Sequence, residues 1–285
     1  EERAMNSKKV IRSDRRLTWA CKGILLIFCV FTVFPILFVL NTSFKETSEF
    51  YANVWGLPEK FAWQNYIYAW DTAQIGKYFF NSLLVVGITV LVTVAISALA
   101  GYALAKLGIK HAGVIIMIIF LSTMLPSESI LMPTYLMTAK LNLIGTYLSL
   151  IIPYIGWGSA FATYIYYNFF LTVPTEIIEA ARIDGCGEVK IFGKIVFPMI
   201  LPATATVAIF TFLSWWGELL WSSVDLAASE IKTLPLGVLA FVQSAGTDWG
   251  PLCAASCIII IPLIIFFLFF QKYFIAGLTG GSVKG

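Results

Sequence analysis

Seven charged side chains, Glu176, Glu179, Arg182, Asp184, Glu188, Lys190 and Lys194, are gathered between Pro174 and Pro202. They stand out because the 285 residues are 59% hydrophobic and only 12% charged, with uncharged runs at 141–175 and 195–217 on either side. A segment this polar between two membrane-length runs must lie in water or against another protein, so its chemistry is recognition. Catalysis has few candidates. The single histidine, His111, sits in a short basic turn with Lys106 and Lys110 and reads as a solvated surface residue, which leaves no Ser/His/Asp or Cys/His set. The five cysteines, Cys21, Cys29, Cys186, Cys253 and Cys257, form no CxxC pair, so neither a zinc centre nor a disulfide framework is expected. Cys253 and Cys257 are one helical turn apart and read as small hydrophobes. A phosphate-cradling loop requires GxxxxGK[ST] between a strand and a helix. The nearest stretch, Gly187…Gly193-Lys194-Ile195, is one residue too long between its glycines, carries isoleucine in place of the magnesium-binding hydroxyl, and follows no strand. The chain is therefore expected to use no cofactor or metal of its own and to be no enzyme by itself.

The elements that must position the charged segment are membrane helices. A mean hydropathy of +0.85 and several charge-free runs of 18 or more residues indicate a polytopic helical membrane protein. Residues 23–44 form the first expected span, too long and without the cleavage site of a signal peptide. Glu1 is not methionine, and Met5 is one candidate start. The polar stretch 45–77, with Trp55, Trp63, Tyr66, Tyr68 and Trp70, reads as short interfacial helices. Residues 78–105 form the second span, whose Gly87, Ser97, Ala98, Ala100, Gly101, Ala103 and Ala105 allow close helix approach. The third begins at 112 and is interrupted by Pro126, Glu128 and Pro133 before Lys140. The fourth lies within 141–175, the fifth within 195–217 and the sixth at 249–271. With the N-terminus in the cytoplasm, fourteen Lys and Arg fall inside and five, Lys45, Lys60, Lys77, Lys140 and Lys232, outside, as the positive-inside rule requires. The charged segment is thus expected on the cytoplasmic face. The net charge of +3 is modest, and no nucleic-acid partner is expected.

Within the segment, Pro174 suits the first turn of a helix and Glu176 the positive end of its dipole. Gly185 and Gly187 are expected to end that helix in a left-handed turn, and 189–196 to form a second short helix before Pro198 and Pro202. Ala180 and Ala181 are read as a smooth contact surface. An amphipathic loop resting on lipid headgroups is the bland alternative. Such a loop favours lysines, whereas acidic residues here outnumber basic ones, which leans toward a protein partner.

Glu179-Ala180-Ala181, Asp184-Gly185, Phe192, Ile195, Pro198 and Pro202 resemble the EAA motif of ABC transporter permease subunits. The wider chain resembles the MalG-type carbohydrate branch through Phe34-Pro35, Thr42-Ser43-Phe44-Lys45, Asn65-Tyr66, Asn81-Ser82, Gly101-Tyr102-Ala103-Leu104-Ala105, Pro133-Thr134-Tyr135, Phe210-Thr211-Phe212, Thr247-Asp248-Trp249, Gln271-Lys272-Tyr273-Phe274 and the ending 277–285. Phe197 replaces the family's leucine, and Gly217-Glu218 its Asn-Asp after Trp216. The resemblance implies an all-α polytopic membrane protein with six transmembrane helices, both termini cytoplasmic, and a cytoplasmic coupling helix between helices 4 and 5. Residues 1–22 would be a basic cytoplasmic segment, 23–274 the transmembrane permease domain with coupling segment 174–202, and 275–285 a cytoplasmic tail. It implies that Glu179, Ala180, Ala181, Asp184 and Gly185 couple to an ATPase, which the tail touches through Thr279 and Lys284. The implied partners are a second permease subunit in a heterodimer, two ATP-binding subunits or domains, an extracytoplasmic solute-binding protein and the lipid bilayer of a prokaryotic cell membrane. The alternative is an ion-coupled secondary transporter or channel subunit. Such carriers bury ionisable groups at mid-membrane, and the spans here carry essentially none; Glu128 and Glu218 are expected near the outer ends. Trp215, Trp216 and Glu218, with Trp221 nearby, are expected to line the entry side of a sugar pathway, the alternative being an interfacial tryptophan belt.

Overall fold

Long apolar runs fold as helix here because in lipid every backbone N–H and C=O must find its partner within the chain. The computed structural model describes residues 2–243 and 246–280, with side chains for 18–19, 21–242 and 247–271. In chain order the helices are α1 (Glu2–Ser43), α2 (Thr47–Ala52), α3 (Gln64–Ile67, followed by a π turn Tyr68–Thr72), α4 (Ile75–Lys106), α5 (Ala112–Leu121) and α6 (Ser127–Lys140). They continue with α7 (Tyr147–Thr172), α8 (Thr175–Ile183), α9 (Glu188–Lys190), a π stretch Ile191–Val196, α10 (Phe197–Met199) and α11 (Leu201–Trp216). Last come α12 (Leu220–Asp225), α13 (Leu234–Val238) and α14 (Trp249–Gly280). Among the described residues the only extended pairing is a two-residue antiparallel ladder, Val242–Gln243 with Gly246–Thr247.

Among the described residues, four helices are long and apolar enough to cross a bilayer unaided: Cys21–Ser43 of α1, α4, α7 and Trp249–Gln271 of α14. Two further spans are broken. Ala112–Met124 meets Ser127–Lys140 at 97°, and Glu188–Met199 meets Leu201–Trp216 at 79°. Counted as one span each, they complete the six expected. The first break falls at Leu125-Pro126, where both residues are extended, as the residue before proline prefers. The second falls at Ile200, two residues before Pro202.

The chain divides into two compact units, 1–69 with 241–257 and 70–240 with 258–285. In the first, Lys45 is fully buried and its Nζ donates to the carbonyls of Asn53 and Val54. Asn65 Nδ2 donates to the carbonyls of Ser43 and Lys45, and the Tyr66 hydroxyl pairs with that of Ser43. The Thr42–Lys45 and Asn65-Tyr66 stretches are thus two halves of one clasp that satisfies the exit of α1. Gly250 is required beside it, since a Cβ there would stand 2.4 Å from the Lys45 carbonyl oxygen.

The second unit is built on α4 packed along α7, its most extensive helix pairing. Small residues make this possible: a Cβ on Gly101 would lie 2.7 Å from Tyr166 Cβ and 2.9 Å from the Tyr167 nitrogen. Asn81-Ser82 forms a second clasp. Asn81 Nδ2 donates to the Lys232 carbonyl, its Oδ1 accepts from the Tyr147 hydroxyl, and Ser82 Oγ accepts from the Leu234 N–H. Pro153 lies inside α7 and cannot donate to the carbonyl four residues back. That carbonyl, of Ser149, instead accepts from Trp221 Nε1 at 3.0 Å.

Candidate coupling segment and aromatic cluster

α8 starts one residue later than expected. Pro174 is its N-cap in extended conformation rather than a first-turn residue, so its missing N–H still leaves nothing unpaired. Glu176 stands in the first turn. The helix closes through Gly185, whose φ of +76° is the left-handed value a C-terminal glycine supplies, and the Cys186 N–H reaches back to the Ala181 carbonyl at 2.9 Å. Gly187, expected to share this turn, is instead extended and caps α9. The expected second short helix is present as α9, the π stretch and α10. The wider π turn accommodates Pro198, which has no N–H to give the preceding turn.

One face of this helix–turn–helix is locked into the unit. Ile178, Ala181, Ile191, Val196 and Ile200 are buried in a single cluster with Ala98 and Tyr102 of α4, Tyr166 and Phe170 of α7, and Val207 of α11. This corrects one reading. Ala180 and Ala181 do not form a common contact surface: neighbouring helix positions point about 100° apart, and while Ala180 is exposed, Ala181 packs inward. The exposed face carries Glu176, Glu179, Ala180, Asp184 and Gly185. It also carries two apolar side chains that charge patterning did not single out, Ile183 at 86% and Val189 at 88% exposure, on either side of the Gly185 turn. Their signal was available, since branched aliphatics beside a glycine turn in a charged segment have no local core to enter.

Three polar contacts fix the segment further. Arg182 Nε donates to Glu188 Oε1 at 2.6 Å, bridging the turn. The other carboxylate oxygen accepts from the Tyr102 hydroxyl at 3.0 Å. Lys106 Nζ, at the end of α4, donates to the Val173 carbonyl at 2.6 Å, just before α8. The segment is therefore tied to α4 as well as continuous in sequence with α7 and α11. Thr279 lies in α14 beyond the described side chains, and Lys284 lies outside the described residues altogether.

The residues expected on a sugar pathway separate into three kinds. Trp216 is fully buried, stacked on Phe212 and edge-on to Phe79, and its Nε1 donates to the Ile259 carbonyl at 3.0 Å. It is a core residue. Glu218 is half-buried, and its carboxylate caps α12 by accepting from the Trp221 and Ser222 N–H groups at 2.6 and 3.1 Å and from the Tyr154 hydroxyl. Its lone pairs are occupied by its own chain, so it is not the solvated outer carboxylate expected. Trp215 differs. It stacks on Tyr154 with ring centroids 4.5 Å apart, sits 5.9 Å from Trp157, and its Nε1 has no partner among the described residues. It lines a cavity of about 240 Å³ between α7 and α11.

Asp225, at the end of α12, is 2% exposed. Its Oδ2 accepts from Ser149 Oγ and the Gly145 N–H, while Oδ1 is unpartnered among the described residues. Burial pushes its pKa above the ordinary carboxylate value, against the opposing pull of those two donors.

Residues 94–280 match the family described as binding-protein-dependent transport system inner membrane component. The probable ABC transporter permease protein YurM of Bacillus subtilis is 33% identical over 92% of this chain and 87% of its own. The arabinooligosaccharides transport system permease protein AraQ of Halalkalibacterium halodurans is 35% identical over 89% and 91%. A solved bacterial ABC transporter involved in import of the acidic polysaccharide alginate contains a chain of the same fold, with TM-score 0.79 at 23% identity over 92% of this chain and 98% of that one. A multi-pass bundle with two broken spans, an EAA segment folded as helix–glycine turn–helix, and likeness along nearly the whole length agree: this chain belongs to the binding-protein-dependent transport system inner membrane components, the permease subunits of ABC transporters.

Proposed function

We propose that the chain is the permease subunit of an ATP-driven importer for a carbohydrate, an oligosaccharide or related solute. A solute-binding protein delivers that solute from outside the cell, and separate subunits hydrolyse the ATP. AraQ, named for arabinooligosaccharide transport, supports the substrate class. The carrying observation is the surface formed by α8 and α9. One face is anchored through Ile178, Ala181 and Ile191, and the opposite face projects Glu179, Ala180, Asp184, Gly185, Ile183 and Val189 with no cover of their own. Two almost fully exposed aliphatics ringed by carboxylates fit a groove with an apolar floor and basic rim on an ATPase subunit, with Glu179 as the pairing charge. The distribution of Lys and Arg supports a cytoplasmic position for this face. A second permease subunit completes the pathway, two ATP-binding subunits supply the force, and the tail with Thr279 and Lys284 adds a further ATPase contact.

The test uses the reconstituted importer. Glu179→Lys or Gly185→Asp is expected to uncouple ATP hydrolysis from solute uptake while the chain still inserts in the membrane. Normal uptake in both variants would remove the docking assignment.

A further inference from the structure

We infer that Asp225 is the proton-bearing link of a strap that ties α12 to the start of α7, closed while its carboxyl is neutral and loosened when it ionises, so that the order of this end of the bundle follows the pH on its own side of the membrane. The strap lies at the head of the 26-residue α7, the end away from the coupling segment. On the proposed orientation that end faces outside the cell, and the uptake arm of the test alone rests on the importer reading.

The proton count carries the inference. Asp225 Oδ2, Ser149 Oγ and the Thr146 carbonyl oxygen stand in a row, the first two in hydrogen-bond contact and the last two 2.7 Å apart. Two gaps between three oxygens need two protons. Ser149 has one, and a carbonyl has none to give. With Asp225 ionised, Ser149 can fill one gap and must set its lone pairs against the oxygen across the other. With Asp225 neutral, its Oδ2–H donates to Ser149 Oγ, whose own proton goes to Thr146, and both gaps are filled.

The other carboxyl oxygen agrees. Oδ1 is fully buried and has no partner among the described residues. A bare neutral oxygen is tolerable there, whereas a share of a carboxylate charge is far more costly. No cation offsets it: among the described residues the one ion pair is Arg182–Glu188. The titratable groups facing Asp225 are Tyr135 of α6, Tyr154 of α7 and, beyond Tyr154, Glu218 at the head of α12; none is positive. Lys140, Glu230 and Lys232 flank these segments in sequence, and neither lysine forms an ion pair with it. Burial raises the carboxyl's pKa, in the direction the proton count requires.

Ionisation loosens more than one bond. Asp225 Oδ2 also accepts from the Gly145 N–H at 3.4 Å, the Gly145 carbonyl accepts from Ser229 Oγ at 2.8 Å, and the Ser149 carbonyl accepts from Trp221 Nε1 at 3.0 Å. Residues 221–229 thus grip 145–149 through Trp221, Ser229 and, at two points, Asp225. An ionised Oδ1 needs water, and the adjoining room is a cavity of about 290 Å³ lined by Tyr135, Gly145, Asp225 and Ser229. Turning toward it draws the carboxyl off Ser149 and Gly145. The strap is therefore closed at low pH and loosens as pH rises through the carboxyl's raised value.

The test uses the assembled importer in proteoliposomes and follows hydrogen exchange in peptides covering 142–149 and 220–229, from the most acidic pH at which the complex stays assembled into the alkaline range. Each point is compared with Asp225→Asn at the same pH, so that the intrinsic pH dependence of exchange cancels. The asparagine amide can donate to Ser149 as the neutral acid does, and it cannot ionise. The two are expected to match at the acid end. As pH rises the wild type should lose protection in these peptides about three- to ten-fold relative to Asp225→Asn, the worth of one net hydrogen bond to a local opening. Ser149→Ala removes the middle oxygen and should be loosened already at the acid end. With the ATP side held at constant pH and a panel of labelled arabino- and malto-oligosaccharides, the ratio of wild-type to Asp225→Asn uptake should fall over the same external pH range. Equal exchange in wild type and Asp225→Asn throughout overturns the strap, as does wild-type protection in Ser149→Ala at the acid end. A step in exchange with a flat uptake ratio overturns its bearing on transport. A step in exchange in an importer that moves no saccharide upholds the strap and overturns the carbohydrate reading instead.

Discussion

Replacing Glu218 separates a structural carboxylate from a substrate-binding one. Glu218→Ala removes the acceptor for the Trp221 and Ser222 N–H groups, a helix cap worth about 1 kcal/mol. It also strands the Tyr154 hydroxyl, on a residue only 1% exposed, at a further 1–3 kcal/mol or so. Together these give about 2–4 kcal/mol of destabilisation, large for one substitution. The loss is local: α12 carries Trp221, whose indole satisfies the carbonyl that Pro153 leaves free, so loosening α12 exposes that carbonyl as well. The assay is thermal unfolding of the purified importer in detergent, followed by uptake normalised to correctly assembled protein. Glu218→Ala is expected to unfold several degrees lower, with KM for the solute-loaded binding protein unchanged. Glu218→Gln keeps one acceptor and should lose about half as much. Wild-type thermal stability together with an altered uptake KM would refute the capping role and return Glu218 to the pathway.

Three further outcomes follow from particular contacts. Gly101→Leu drives a side chain into Tyr166 and the Tyr167 backbone, so α4 and α7 must part; at least 3 kcal/mol or so of destabilisation is expected, seen as loss of folded protein on gel filtration. Asp225→Asn is expected to flatten the pH dependence of thermal stability. Burial raises the carboxyl's pKa, so the folded state holds its proton more tightly than the unfolded state; stability is full below the ordinary value of 3.8 and falls as pH rises toward the raised one, a slope the amide lacks. Trp221→Phe keeps the ring but leaves the Ser149 carbonyl unpaired, and is expected to cost about 1–3 kcal/mol in the same unfolding assay.

The membrane class, the six spans and the position of the glycine turn are legible because each depends on one-dimensional features: charge-free length, proline and glycine. The break at Pro126 and the left-handed Gly185 are local chemistry and fall where the residues place them. What could not be read depends on partners distant in sequence. Asn65 reads as a polar loop residue until its amide is found on the carbonyls of Ser43 and Lys45. Glu218 reads as a free carboxylate although two of its donors, the Trp221 and Ser222 N–H groups, are local; the third, Tyr154, lies 64 positions earlier. Ala181 reads as part of the docking surface through the Glu179-Ala180-Ala181 motif. The hydrophobic face that turns it inward is set by Ile178 and by Ile191 beyond the turn, a combination that no single helical stripe displays.

Those inward contacts bear on how force would leave the segment in its proposed coupling role. Sequence continuity alone makes α7 and α11 the carriers, since the segment joins them end to end. The side chains add α4. Glu188 is held by Arg182 across the turn and by Tyr102 on α4, and Lys106 of α4 holds the Val173 carbonyl at the entry to α8. On the proposed role, a displacement of α8 therefore acts on three helices, and not equally. α7 joins it through two extended residues, Val173 and Pro174, and α11 through a π stretch and the 79° bend at Ile200. α4 runs without interruption from Ile75 to Lys106 and packs closely on α7 through Gly101. If α4 and α7 moved together against α11, the width of the cavity between α7 and α11 that Trp157 and Trp215 line would change. Ile200 at the bend and Val207 of α11 are themselves buried with Tyr166 and Phe170, so any such movement must repack that cluster.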